Sequence, residues 1–257
     1  MSRFMPGGTQ DGGGAQSRPS RAVRAHPHGR ARSLAPLELV RGDPPAPPGP
    51  TRPRRLSNFL KRAIDVAGAA ALLVLLAPAF LLIAVAIRAD SPGPAFFVHR
   101  RLGRGGRHFG CLKFRTMVRD AESRVFRDAA LRQQYVRSHF KIAAELDPRI
   151  TRVGRFLRRS SLDELPQLWN VLLGHMSLVG PRPIVALEAT HYGADLDALL
   201  SVRPGITGSW AVAGRSEVGY PARAQLELRY IRERSLAGDL LILLKTPWTV
   251  LTRRGAV

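Results

Sequence analysis

The chain has 257 residues, with 40 Lys and Arg against 19 Asp and Glu and a formal net charge of +21. That balance calls for an anionic partner, yet no zinc-ligand spacing, aromatic-rich RNA platform or helix-turn-helix pattern accompanies it, so no nucleic acid is expected among the partners. The single cysteine, Cys111, excludes an intrachain disulfide and agrees with a reducing compartment. Much of the charge flanks an apolar segment, where each Lys or Arg gains about 1 kcal/mol from an anionic leaflet. Anionic lipids of an inner membrane are therefore the expected surface.

Residues 1–57 are rich in Gly, Pro, Ala and Arg, with Pro44 to Pro50 as the extreme. Too little apolar surface is available there to offset chain entropy, which predicts a disordered basic tail. Residues 58–90 read as a membrane anchor. Val66 to Ile87 carries no charged residue, and about 20 apolar residues rising about 1.5 Å each suffice to meet a bilayer. The segment starts too far into the chain for a signal peptide, and no small-residue cleavage site precedes it. Arg52, Arg54, Arg55, Lys61 and Arg62 lie upstream; Arg88, Arg100, Arg101, Arg104 and Arg107 lie downstream. Basic residues stay on the cytoplasmic side, so both ends are expected there. Ala77 and Pro78 supply the bend of such a re-entrant hairpin, since proline removes a donor and disfavours helical geometry in the residue before it. A kinked, fully spanning helix is the alternative, because membrane helices tolerate proline.

Residues 91–257 are expected to form the folded domain. Ala95 to His99 reads as a strand, Gly103 to Gly106 as a turn, and Phe109 to Met117 as a second strand. In the second strand Lys113 and Arg115 alternate with Leu112, Phe114 and Thr116, which points both cations to one face, where they could reach a diphosphate together. Taken alone, an ordinary exposed strand face explains the alternation as well. Cys111, between Gly110 and Leu112, reads as a small buried hydrophobe. Residues 121–145 lack proline and read as a helix with Leu131, Tyr135 and Phe140 as packing positions, ended by Asp147-Pro148. Towards the C-terminus, Leu240 to Leu244 is a short apolar run followed by Lys245 and Trp248, which suits an interfacial helix and a buried core helix equally.

The densest stretch runs from Ser160 to Asn170 and on to Gly180-Pro181-Arg182-Pro183. Arg149, Arg152, Arg155, Arg158 and Arg159 precede two adjacent carboxylates, Asp163 and Glu164, and such clustered guanidinium groups suit a polyphosphate. Pro166 is best tolerated in a first helical turn, which places both acids near a helix N-terminus, where the macrodipole favours ionised carboxylates. An ionised Asp can attack phosphorus, hold Mg²⁺, or do both. A plainer reading stays open on spacing alone: Ser161 and Glu164 fit a capping box. Arg182, between two prolines, is a phosphate candidate or a structural turn; Arg203 and Arg215 are weaker phosphate candidates.

From about Leu60 onward the chain resembles the bacterial sugar transferases, the monotopic polyprenyl-phosphate phosphoglycosyltransferases. The resemblance rests on Lys61-Arg62-Ala63-Ile64-Asp65, the proline-broken anchor, Lys113-Phe114-Arg115-Thr116-Met117 and Asp147-Pro148-Arg149-Ile150-Thr151 with Gly154-Arg155-Phe156. It continues through Ser161 to Leu168, Met176 to Pro183, and Arg203-Pro204-Gly205-Ile206-Thr207-Gly208. It implies transfer of a sugar 1-phosphate from a nucleotide diphosphate sugar to polyprenyl phosphate, with Mg²⁺, at the cytoplasmic face of the bacterial inner membrane. Asp163 would be the nucleophile that forms a covalent phosphosugar enzyme, Glu164 its partner on the metal, and Arg158 a neighbouring family arginine. The other reading is a non-catalytic basic adaptor in polysaccharide assembly. His175, Ala211 and Glu227 depart from the family pattern and bear on substrate identity. The expected fold is α+β, with a re-entrant N-terminal hairpin, a small sheet and interfacial amphipathic helices; self-association stays open.

Overall fold

The computed structural model describes residues 55–129, 131–133, 142 and 147–252. The expected basic tail, save residues 55–57, lies outside the described residues, as do Tyr135 and Phe140 of the expected 121–145 helix. The predicted α+β class holds, with helices packed around two small sheets.

Helix α1 (Arg55–Leu75) meets α2 (Ala77–Asp90) at Leu76 with a bend of 62°. Pro78 lies in the first turn of α2, where its missing N–H would have had no helical partner anyway. The break thus falls where Ala77 and Pro78 predict it. Among the described residues no single helix is long and apolar enough to cross a membrane, whereas this bent pair has the length and composition together.

Only part of α1 is spent on the core. Ala69 is fully buried with Leu168, Val171, Met176 and Leu178, while Leu56, Phe59, Ile64, Val74 and Leu75 are exposed. Buried Asp65 accepts hydrogen bonds from Ser177 Oγ and the Leu178 N–H, both at 3.0 Å. Arg62 donates to the carbonyls of Val171 at 2.7 Å and Leu172 at 3.0 Å. The segment expected as an anchor therefore shares its core with the domain that follows it.

Strands β1 (Phe96–Leu102) and β2 (His108–Phe114) form an antiparallel hairpin. The turn between them is the expected glycine-rich one, with positive φ at Gly105 and Gly106. The register pairs Phe97 with Lys113, His99 with Cys111 and Arg101 with Phe109, so these six side chains share one face. Phe109 and Cys111 enter the core. On the other face, Phe114 packs with Phe96 at 5.3 Å and with Phe80 of α2 at 5.2 Å.

Helix α3 (Ala121–Arg127) contributes Val125 to a small cluster with Leu131 and Ile142. Helix α4 (Arg152–Ser160) is capped by Thr151, whose side chain accepts from the Gly154 N–H at 3.0 Å. A 3-10 turn at Leu162–Glu164 leads into α5 (Gln167–Leu172). The parallel pair β3 (Ser177–Val179) and β4 (Gly205–Thr207) is joined through a 3-10 segment at Ala186–Asp195 and α6 (Leu196–Leu200). Helices α7 (Ser209–Ala213), α8 (Ala222–Glu233) and α9 (Leu236–Leu251) follow. The apolar run of α9 divides: Ile242 and Leu243 pack on the core, while Leu240, Leu241, Leu244 and Trp248 are exposed.

Candidate active site

Helix α4 ends because Ser161 adopts a left-handed conformation, with φ 55°, and the chain then tightens into the turn that carries both carboxylates. Arg215 has φ 53°; it and Ser161 are the non-glycine residues with positive φ among those described. Arg215 Nη1 donates to Ser161 Oγ at 2.9 Å. Two strained backbone positions are thus clasped together beside Asp163 and Glu164, which is where strain commonly accumulates in functional sites. The capping-box reading fails here: Ser161 makes no cap bond, and Glu164 turns to Lys113 instead, whose Nζ lies 2.6 Å from its Oε1.

The two carboxylates are electrostatically distinct. Burial alone would raise Glu164, but the charge and hydrogen bond of Lys113, with Arg182, outweigh it and hold the group near 2. Burial pushes Asp163 up to about 6; Glu164 adds to the rise, and Lys113 and Arg158 counter it in part. Lowering by the helix macrodipole, expected for both acids, is overridden at Asp163 by loss of water. Divergent environments of this kind assign different roles to neighbouring acids.

Arg158 is anchored on Thr116, with Nε donating to Oγ1 at 2.9 Å, and its charge acts on Asp163. Arg215 lies close enough for both carboxylates to act on it. Arg182 has its backbone N–H fixed by Glu227 Oε1 at 3.0 Å, while its guanidinium stacks 5.2 Å from the centre of the Trp210 ring. Lys113, Arg158, Arg182 and Arg215 are therefore brought together around the acidic pair.

Arg115 and Arg203 are not brought there. Arg115 is buried and donates to the carbonyls of Pro92 at 2.8 Å and Ser91 at 2.6 Å, closing the C-terminal end of α2. Strand β2 ends at Phe114, so the alternation that put Lys113 and Arg115 on one face does not extend to Arg115. Arg203 Nε donates to the Gly174 carbonyl at 2.8 Å, and its charged neighbours are Arg62, Arg104 and Asp65. Of the preceding arginine cluster, Arg158 reaches the acidic pair, whereas Arg149 is held in a buried two-point pair with Asp147 at 2.8 and 2.7 Å.

The open cleft beside the pair is lined by Arg101, Lys113, Glu164, Arg182 and Trp210 among others. Arg101 was not evident from motif reading; it donates to the Pro183 carbonyl at 3.0 Å and so steadies the segment that carries Arg182. The period-two logic that singled out Lys113 on β2 would have found it on β1. Of the three family departures, His175 rests on Phe109 at 5.8 Å, Ala211 is buried, and Glu227 is fully buried, accepting from the Tyr192 hydroxyl as well as from Arg182. Burial pushes the Cys111 thiol up to about 11, in keeping with a core residue rather than a nucleophile.

A carboxylate pair within a ring of three arginines and a lysine is equipped for chemistry at phosphorus, which depends on positioning and charge neutralisation. Residues 56–253 match the family model described as bacterial sugar transferase, and the chain belongs to that family. Over 78% of its length it is 44% identical to the UDP-galactose-lipid carrier transferase of Erwinia amylovora, covering 42% of that protein. Over 79% it is 43% identical to the undecaprenyl-phosphate galactose phosphotransferase of Salmonella typhimurium, covering 43% of it. Over 82% it is 40% identical to the exopolysaccharide production protein ExoY of Rhizobium meliloti, covering 93% of it. The chain thus spans less than half the length of the first two relatives and nearly all of the third.

Proposed function

We propose that the chain transfers a sugar 1-phosphate from a nucleotide diphosphate sugar, with UDP as the nucleotide, to a polyprenyl phosphate of the undecaprenyl type, starting exopolysaccharide or glycoconjugate assembly. The observation that carries this reading is the Asp163–Glu164 turn, braced by Arg215 and ringed by Lys113, Arg158 and Arg182. The names of the relatives, with UDP-galactose in one and undecaprenyl phosphate in another, support the two substrates.

In this reading an Asp163 carboxylate oxygen attacks the β-phosphorus, and the bond to the bridging oxygen breaks. UMP leaves with that electron pair, and the sugar phosphate stays on Asp163. A phosphate oxygen of the polyprenyl phosphate then attacks the same phosphorus, and the Asp163 carboxylate is released. Asp163, shifted towards about 6, is the more basic acid and still ionised near neutral pH, which suits a nucleophile. Glu164, paired with Lys113, stays anionic throughout.

Adjacent carboxylates fit Mg²⁺, which is held by one or two protein carboxylates with water and substrate phosphates completing the shell. Among the described residues no cluster of three or more His, Cys, Asp or Glu makes a fuller cage. Asp163 and Glu164 would hold the ion, which would neutralise charge on the phosphoryl group in transfer.

The bent α1–α2 pair, with exposed Leu72, Val74, Leu75, Leu81, Leu82 and Val85, supports a re-entrant insertion from the cytoplasmic face of the inner membrane. The exposed apolar face of α9 and anionic headgroups around the basic flanks would complete the contact. A lipid phosphate would then meet Asp163 at headgroup level.

The test is UMP release by membrane-extracted protein with polyprenyl phosphate and Mg²⁺ over a panel of UDP-sugars. One sugar should be turned over, Asp163→Ala should lower the rate by about 10³-fold or more, and omitting the acceptor should leave a sugar-phosphate adduct on the wild type only. Undiminished UMP release by Asp163→Ala would refute the mechanism, and folded protein inert with every donor would favour the adaptor.

A further inference from the structure

The site-facing side of β1 carries an aromatic pair that phosphate chemistry alone does not use. Phe97 is 49% exposed although it stands directly across the hairpin from Lys113, the lysine that pairs with Glu164. Its ring lies 5.9 Å from that of His99, the next side chain on the same face. Arg101 Nη2 approaches His99 Nδ1 at 3.2 Å. A guanidinium can only donate, so Nδ1 must accept, and the neutral imidazole carries its proton on Nε2. That N–H has no hydrogen-bond partner among the described residues.

We propose that Phe97 and His99 form the nucleobase platform of the donor site, Phe97 stacking on the base and His99 Nε2–H donating to a ring carbonyl. The inference rests on the donor reading above. The hairpin separates two chemistries. On the face towards α2, Phe96 and Val98 are exposed beside an apolar cluster that includes Phe80, Ile83, Phe114 and Ile87. On the site face the exposed ring has Lys113 and the His99 imidazole for neighbours instead, and that imidazole is held by Arg101 and feels the charge of Arg182. An isoprenoid chain would favour the first setting. A planar, polar-edged base joined to a diphosphate fits the second, since a β-phosphate held near Lys113 leaves its nucleoside within reach of the adjoining strand. Partial burial, with the cationic surroundings adding to it, keeps His99 neutral, so it can act as a fixed donor.

Phe97→Leu tests the platform, because leucine keeps apolar contact and removes the π face. With full-length protein, the donor KM should rise by about 5- to 100-fold, the range typical of lost base–aromatic stacking, while the polyprenyl phosphate KM stays put. Phe97→Trp should preserve the donor KM. His99→Gln, which keeps both an acceptor for Arg101 and an N–H donor, should retain the affinity that His99→Leu loses. An unchanged donor KM in Phe97→Leu overturns the platform, and a raised acceptor KM assigns Phe97 to the lipid and overturns it equally. Wild-type protein that neither binds UDP nor turns over any UDP-sugar would refute the donor reading itself, a result distinct from either.

Discussion

Single side chains in and beside the cleft are tuned by their surroundings more than by their own chemistry. His99 shows this with a definite sign. Burial, Arg101 and Lys113 lower it to about 4 from 6.5; Glu188 opposes them and Arg182 adds to them. Between those values the unfolded chain binds more protons than the folded one, so stability from this group is complete above about pH 6.5 and is lost as pH falls towards 4. Thermal unfolding followed across that window should show a steeper acid loss for the wild type than for His99→Gln. Asp163, raised on folding, has the opposite slope, and since it is common to both proteins the difference between the two curves reports His99. Parallel curves would mean that His99 titrates alike in folded and unfolded chains.

Elements matter through where they approach one another. Helix α4 lies so close to the strand end after β2 that a Cβ on Gly154 would sit 2.0 Å from the Thr116 carbonyl oxygen. That contact is backbone, so no rotamer change relieves it. The same Thr116 holds the Arg158 guanidinium through Oγ1. Gly154→Ala should therefore cost about 1–3 kcal/mol or more of stability, as overpacked sites do, and should also move Arg158 relative to Asp163. Denaturant unfolding with UMP release on the same samples checks both; wild-type stability would mean that the helix can shift freely. The motif Gly154-Arg155-Phe156 was visible in the sequence, but the carbonyl that demands the glycine comes from 38 residues upstream in the chain.

At the scale of the whole molecule, the bent helix pair is both an exposed apolar surface and a wall of the core. Lys61 reaches Asp239 of α9 at 2.7 Å, and Tyr230 of α8 donates to the same carboxylate at 2.7 Å. The proposed insertion and the candidate site would thereby share one scaffold. The re-entrant proposal expects both flanks on one side. Ser57→Cys and Pro94→Cys, both exposed positions, introduced singly with Cys111 replaced by Ser, should be labelled by an impermeant maleimide from the cytoplasmic side only. Labelling of the two from opposite sides would establish a crossing.

The sequence by itself determined the features written into local chemistry and order. These are the helix break at Leu76, forced by Pro78; the glycine turn between β1 and β2; the acidic pair ahead of Pro166; and the family, carried by motifs in series. Tertiary structure alone decided which cations face that pair. Lys113 and Arg115 are two residues apart in a cationic motif, yet one reaches Glu164 and the other closes the end of α2. Arg215, far along the chain, clasps Ser161, while Arg203 is spent on Gly174. A guanidinium reads the same in every sequence position, and its role depends on which carbonyl, ring or carboxylate the fold sets before it, a distance in space that spacing along the chain does not encode.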